Sequence, residues 1–130
     1  MNEKQLTVLT GSSAAHVGRV LACLSEEQID IRAHCLVDNG DGNCKLRMVV
    51  SAPEKAMTAL QRHHIVAVIN DVVTIETDDR PGGLRRIIQM LEQHDIRIDY
   101  SYTAASQKPG RAIMVFRFSD NALALRILER

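Results

Sequence analysis

The chain has 130 residues with 16 basic and 16 acidic side chains, so it carries no formal net charge at pH 7, which removes the usual electrostatic basis for non-specific binding to DNA or to an anionic membrane. Its 45% hydrophobic content supplies a core and argues against disorder, and no apolar run is long enough for a transmembrane helix. Three cysteines read as reduced thiols rather than a disulfide framework, and the first residues lead straight into a strand pattern with no room for a signal peptide, so a cytoplasmic protein is expected.

Residues 5–10, with Leu6, Thr7, Val8 and Leu9, have the character of a short strand. Ser12 or Ser13 is placed to cap a helix running to about Glu26, whose apolar residues fall at i, i+3, i+4 and i+7. Residues 29–37 alternate apolar and polar side chains, as a half-buried strand does. Asn39-Gly40 is a hairpin signal, because both residues tolerate the positive φ of a tight turn. A two-residue turn there predicts that Cys35 faces Cys44. In the returning strand, 45–51, Leu46, Met48 and Val50 are expected inward and Arg47 and Val49 outward. Pro53 opens a second helix, and residues 65–69 form a fourth strand. The order β-α-β-β-α-β is the ferredoxin-like arrangement: an antiparallel sheet with two helices on one face.

The same unit then recurs at an offset of 67. Val17, Val20, Leu21 and Leu24 return as Leu84, Ile87, Ile88 and Leu91, and Ile29 and Ile31 return as Ile96 and Ile98. After one inserted residue, Leu46, Met48 and Val50 return as Met114, Phe116 and Phe118. The expected fold class is therefore α+β, with two ferredoxin-like βαββαβ units in tandem over residues 1–70 and 71–130, and Asn70-Asp71 as the only linker signal. In the second copy, strands are expected at 72–77, 97–103 and 111–118, with helices at 81–93 and from Asn121 to the end. Residues 63–70 have no second counterpart, so the second unit lacks its fourth strand and its 72–77 strand faces an open edge. That edge is expected to be covered by the first copy, a partner subunit or an exchanged strand; a chain cut short gives the same pattern.

At the strand-to-helix turn of the second copy stands Asp79-Arg80-Pro81-Gly82-Gly83-Leu84. Pro81 pre-sets φ for a first helical turn and lacks an amide that the turn leaves unpaired anyway. Gly82 and Gly83 lack a Cβ, so a ligand or another backbone segment can come close. The first amides of a helix favour an anion such as a carboxylate, and Asp79 beside them can accept from an ammonium group. Bare amides next to one carboxylate suit the two charged ends of a free amino acid. A plain capped helix start, with Asp79 as the cap, uses the same residues.

Together with the tandem pattern, this turn resembles that of the ACT domain family, small regulatory modules that bind amino acids or related metabolites. The resemblance covers about residues 4–130 and is greatest to stand-alone tandem members with no attached catalytic domain. Asp79, Pro81, Gly82 and Leu84 fill the family's turn, and Ile96-Arg97-Ile98 falls where its second strand begins. The resemblance implies a ligand held between that turn and that strand start, usually at an interface between two ACT units. It implies that Asp79 binds the amine and the backbone around Gly82, Gly83 and Leu84 the carboxylate, with Arg97 and Ile98 near the ligand. Family members often have Asn where this chain has Arg97, a departure. In the first copy Ser12 replaces the acid, Ala14 the proline, Ala15 the glycine and His16 the next residue, ahead of Val17. That weaker first-unit site, completed by Asp30 at the strand position, reads as degenerate or altered in specificity.

The remaining constellations point elsewhere than to chemistry. Cys35 and Cys44 lack a third and fourth ligand, since adjacent His34 points to the opposite face; two small buried thiols are the plainer reading. His63 and His64 alternate faces and suit the C-terminus of a helix. Two Phe and two Tyr cannot furnish an RNA-stacking sheet. No catalytic triad, phosphate loop, metal set or cofactor motif is present. The expected function is that of a non-enzymatic, amino-acid-binding allosteric regulator that forms a homo-oligomer, a dimer by preference, and passes its signal to a partner enzyme. The alternative is a protein-interaction module with a vestigial pocket.

Overall fold

The computed structural model describes residues 1–129, with the backbone alone for Ala105; Arg130, expected at the end of the last helix, lies outside the described residues. In chain order the elements are β1 (Asn2–Gly11), α1 (Ala14–Glu26), β2 (Ile31–Asp38), β3 (Asn43–Val50), α2 (Pro53–Arg62), β4 (Ala67–Asp78), α3 (Gly83–Leu91), β5 (Ile98–Ala105), β6 (Arg111–Phe118) and α4 (Asn121–Leu128). The fold is α+β, built twice on the expected βαββα order. Contacts group the chain into two compact units, one of Lys4–Asn70 and one of Met1–Glu3 with the residues from Asp71 onward.

In the Lys4–Asn70 unit the strand order is β2-β3-β1-β4. Leu6 pairs with Met48 and Val8 with Leu46, so alternate residues share one face. That face packs on Val20, Cys23 and Leu24 of α1 and on Ala56 and Leu60 of α2, where the i, i+3, i+4 spacing puts them on one side. Ser13 is the N-cap of α1, its hydroxyl accepting from the His16 amide at 3.2 Å. The opposite face of the sheet is not simply outward. Val49, expected to point to water, is buried opposite Ala33. Gln5 is also buried there, its Nε2 donating to Thr7 Oγ1 at 3.2 Å, and the Thr7 hydroxyl donates to Asn70 Oδ1 at 2.7 Å.

Two expectations for this unit are corrected. The hairpin is wider than a two-residue turn: Asn39 N donates to Asn43 O at 2.8 Å, and Gly40 (φ 90°) and Gly42 (φ 85°) both take the left-handed conformation. The register moves accordingly, pairing Cys35 with Arg47 and Cys44 with Asp38, so the two cysteines do not face each other. The linker signal at Asn70-Asp71 falls where the two units divide, but it does not interrupt the strand. The strands expected at 65–69 and 72–77 are one twelve-residue strand, β4, in which the Thr7 hydroxyl satisfies the Asn70 side chain without a turn.

In the other unit β4 pairs with β6 and β6 with β5. Val73 faces Phe116, Ile75 faces Met114, and Asp78 faces Arg111. Val73, Met114, Phe116 and Phe118 pack against Ile87 and Leu91 of α3 and Ala124 and Ile127 of α4, with the two phenyl rings stacked at 5.0 Å. The edge of β4 that the missing strand leaves open is met by the chain's own first residue. The Met1 ammonium donates to Thr74 O at 2.7 Å, and Thr74 N donates to Met1 O at 2.8 Å. The helix expected from Pro81 starts later, at Gly83, because Gly82 at φ 89° is its N-cap and a left-handed residue cannot belong to a right-handed helix.

Candidate functional site

Three segments of the second unit converge at the C-terminal end of β4. β5 runs alongside toward the same end and β6 starts there, so the turn at 79–82, the loop at 106–110 and the first turn of α3 become neighbours. They enclose a cleft of about 650 Å3 lined by Asp78, Asp79, Arg80, Gly82, Gly83, Leu84 and Arg85 on one side and by Thr103, Ser106, Lys108 and Arg111 on the other. The backbone ties the two loops together: Asp79 N donates to Gly110 O at 2.9 Å.

The two adjacent acids at the strand end have different roles. Asp78 is consumed by structure. Arg111, opposite it in register, donates to Oδ1 at 2.6 Å, and Arg80 and Arg86 lie 3.2 Å and 3.7 Å from Oδ2. The hydrogen bond from Arg111, then the charge of Arg80, hold its carboxyl below the usual aspartate range. Glu76, two residues back on β4, accepts from the Ser106 hydroxyl at 2.7 Å and pairs with Lys108 Nζ at 3.5 Å, and those contacts lower its pKa in turn. Asp79 is exposed, and its carboxylate makes no hydrogen bond or ion pair with another described residue.

The start of α3 is similarly open. Gly82 has no side chain to cap it, Gly83 N donates to Arg80 O at 3.1 Å and Arg86 N to Gly82 O at 3.0 Å. The amides of Leu84 and Arg85 between them have no acceptor among the described residues. A Cβ on Gly82 would meet open space, whereas one on Gly83 would come within 2.5 Å of Asp78 O. Gly83 is thus required by the protein's own backbone, and Gly82 by its φ.

The first unit closes the same corner. Ser12 N and its hydroxyl both donate to Gly42 O, at 2.9 Å and 3.1 Å. Ser13 takes the His16 amide, and the His16 imidazole lies over Gly11, where a Cβ would be 2.2 Å from Nδ1. Ala15 is exposed, and Val17 is packed against the core. No amide-and-acid pair equivalent to Asp79 with Leu84 and Arg85 is left over.

Arg97 and Ile98 are not brought to the cleft. They sit at the start of β5, whereas the cleft takes Thr103 and Ala104 near its end. There Arg97 N donates to Ser119 Oγ and Ser119 N to Arg97 O, both at 2.9 Å. Asp30 makes the same clasp with Ser51, at 3.0 Å and 2.9 Å. These repeated positions are backbone joints, and Arg97, Ile98 and Asp30 are all exposed.

The residue-by-residue reading missed Asp78, Arg111, Lys108 and Ser106. The acid doublet Asp78-Asp79 at a strand end, and the Lys108-Pro109-Gly110-Arg111 loop that the repeat aligns with the first hairpin, were the signals for them. Among the described residues no group of three or more His, Cys, Asp or Glu is arranged to hold a metal ion. Cys44 is buried with its Sγ 3.7 Å from Gly11 O, and burial raises its pKa, as for a packing thiol. His63 is the C-cap of α2, its carbonyl accepting from Arg19 Nη2 at 2.9 Å. Among the described residues no helix is long and apolar enough to cross a membrane.

Comparison with known proteins places this frame. The crystal structure of protein BT0572 from Bacteroides thetaiotaomicron superposes with a TM-score of 0.91 at 31% sequence identity, covering 99% of this chain and 88% of that one. The regulatory subunit of aspartate kinase from Thermus thermophilus, in a ligand-free form, superposes at 0.71 with 15% identity over 99% of this chain and 93% of its own. The aspartate kinase regulatory subunit from Thermus flavus gives 0.63 and 15%, over 99% and 92%. At 15% identity these two show a shared fold. No curated protein sequence matches the chain significantly. A family model described as an ACT domain pair matches residues 1–128, taking in both units and the turn between β4 and α3. Both copies of the repeat are read by that one model, and the chain therefore belongs to the ACT domain family, as a pair of ACT domains.

Proposed function

We propose that this ACT domain pair is a non-enzymatic amino-acid sensor whose ligand sits in the second-unit cleft. One observation carries the reading: the Asp79 carboxylate, with no hydrogen bond or ion pair among the described residues, borders the same cleft as the Leu84 and Arg85 amides, which have no acceptor among them. An ammonium group on Asp79 and a carboxylate on the amides would satisfy both ends of a zwitterion. Pro81 and Gly82 shape the corner, and Gly83 lets α3 pack down on β4. The first-unit corner, already filled by Ser13 and His16, acts as a packing element in this reading.

The output is regulation of another protein, an enzyme by analogy with the aspartate kinase regulatory subunits that share the fold. A homodimer is the assembly we propose, supported by exposed apolar residues on edge strands: Leu36 and Val37 on β2 and Ile98 on β5. Free Cys23, Cys35 and Cys44 suit the reducing cytoplasm.

The test is a thermal-shift panel of the twenty amino acids. A true ligand at a hundred times its Kd stabilises by about 2.7 kcal/mol. A shift with none of them would overturn the sensor and favour an interaction module with a vestigial pocket.

A further inference from the structure

We infer that the ligand of this cleft is an acidic amino acid, aspartate or glutamate, whose side-chain carboxylate is taken by Arg85 and the cationic wall beside it. The inference rests on the amino-acid reading above and goes one step beyond it, to the side chain.

The charges lining the cleft are unequal. Arg80, Arg85, Lys108 and Arg111 face Asp78 and Asp79. Asp78 is already saturated, since its two oxygens serve Arg80, Arg86 and Arg111 together. Three guanidinium groups offer many more N–H donors than one carboxylate can accept, so donors remain unspent. Asp79 is reserved for the ligand's amine. Lys108 reaches Glu76 only at 3.5 Å and is itself 75% exposed, a weak commitment. Arg85 has no ion pair or hydrogen bond among the described residues. With the zwitterion in place, its amine on Asp79 and its α-carboxylate on the amides, the charge left unmatched in the cleft is positive and centred on Arg85.

Each class of amino-acid side chain meets that surplus differently. An acid gains a charge-assisted, two-pronged contact with a guanidinium. An amide of the same shape offers one neutral acceptor and brings two donors toward cations. An aliphatic side chain leaves Arg85 with water alone, and a basic one is repelled. The discrimination therefore separates an acid from its own amide, at constant size.

The experiment is isothermal titration near neutral pH with L-aspartate, L-asparagine, L-glutamate, L-glutamine, L-leucine and L-lysine. The expected result is that one acid binds at least about tenfold more tightly than its amide. Arg85→Gln should narrow that ratio to about threefold or less, with an unchanged melting midpoint because the side chain is exposed. Arg126→Gln on α4, outside the cleft, should leave the ratio as it was. An amide that binds as tightly as its acid, or a ratio that survives Arg85→Gln, would overturn the inference. Tight binding of leucine or lysine with none of the acids would overturn it too, while leaving the amino-acid reading standing. Absence of binding by every amino acid would remove both.

Discussion

A Cβ built on Gly83 lies 2.5 Å from the backbone carbonyl oxygen of Asp78, five residues earlier and across the turn. The equivalent pair in the first unit is Gly11 and His16, and there the glycine is on the strand side and the bulk on the helix side. Each unit brings its helix onto its strand by removing one side chain, but from opposite partners. Removing it from the helix leaves Asp78 a side chain that pairs with Arg80 and Arg111 of the cleft and with Arg86 beside it; removing it from the strand lets His16 fill the space.

The glycines should therefore rank by mechanism. Gly83→Ala collides with backbone that cannot move freely and should cost about 2–3 kcal/mol in urea unfolding. Gly82→Ala has open space but must hold φ 89°, a cost of about 1 kcal/mol. Gly18→Ala, within α1 with nothing inside 4 Å of its Cβ, should stabilise by about 1 kcal/mol. Equal costs at Gly82 and Gly83 would contradict the close approach to Asp78.

Asp78 and Asp79 should separate structure from binding. Asp79→Asn breaks no hydrogen bond or ion pair among the described residues and should keep stability within about 0.5 kcal/mol of the parent while abolishing any ligand-induced thermal shift. Asp78→Asn leaves Arg80, Arg86 and Arg111 facing one another without their shared anion and should lower the melting midpoint even without ligand. A ligand shift that survives Asp79→Asn would place the amine elsewhere.

Acid should weaken the second unit. Asp78 and Glu76 have folded pKa values below their unfolded ones, about 3.9 for aspartate and 4.3 for glutamate, so the folded state favours their charged forms. Their contribution is complete above those unfolded values and is lost as pH falls through the lower folded values. The melting midpoint should therefore decline below about pH 4 more steeply in the parent than in Asp78→Asn. Added salt should weaken the effect, because both acids are only partly shielded from water. Parallel acid profiles for parent and variant would contradict it.

Deleting Met1–Glu3 should expose the edge of β4. It removes the three hydrogen bonds between Met1 and Thr74, two of them backbone to backbone and one from the Thr74 hydroxyl, and leaves unpaired strand donors and acceptors. The expected result is a lower melting midpoint and more self-association in light scattering. A variant as stable and as dispersed as the parent would show that the edge has no need of cover.

Much of this was legible in the chain itself. The repeat put Leu46, Met48 and Val50 beside Met114, Phe116 and Phe118 as equivalent core strands, and all six are buried. The glycine turn marked the corner where the cleft opens. The hairpin register was not legible, because Asn39-Gly40 is compatible with both a short loop and a longer one closed by Gly42. Nor was the division of labour between adjacent acids, since nothing local distinguishes Asp78 from Asp79.

By itself the sequence determined the doubled βαββ order, the core faces and the site of the turn, because these follow from periodicity and from backbone preferences that act within a few residues. Tertiary structure alone decided that Arg111 meets Asp78 from 33 residues away and that Thr74 is matched by Met1. Those outcomes depend on register across strands, where a shift of one residue turns every side chain to the other face.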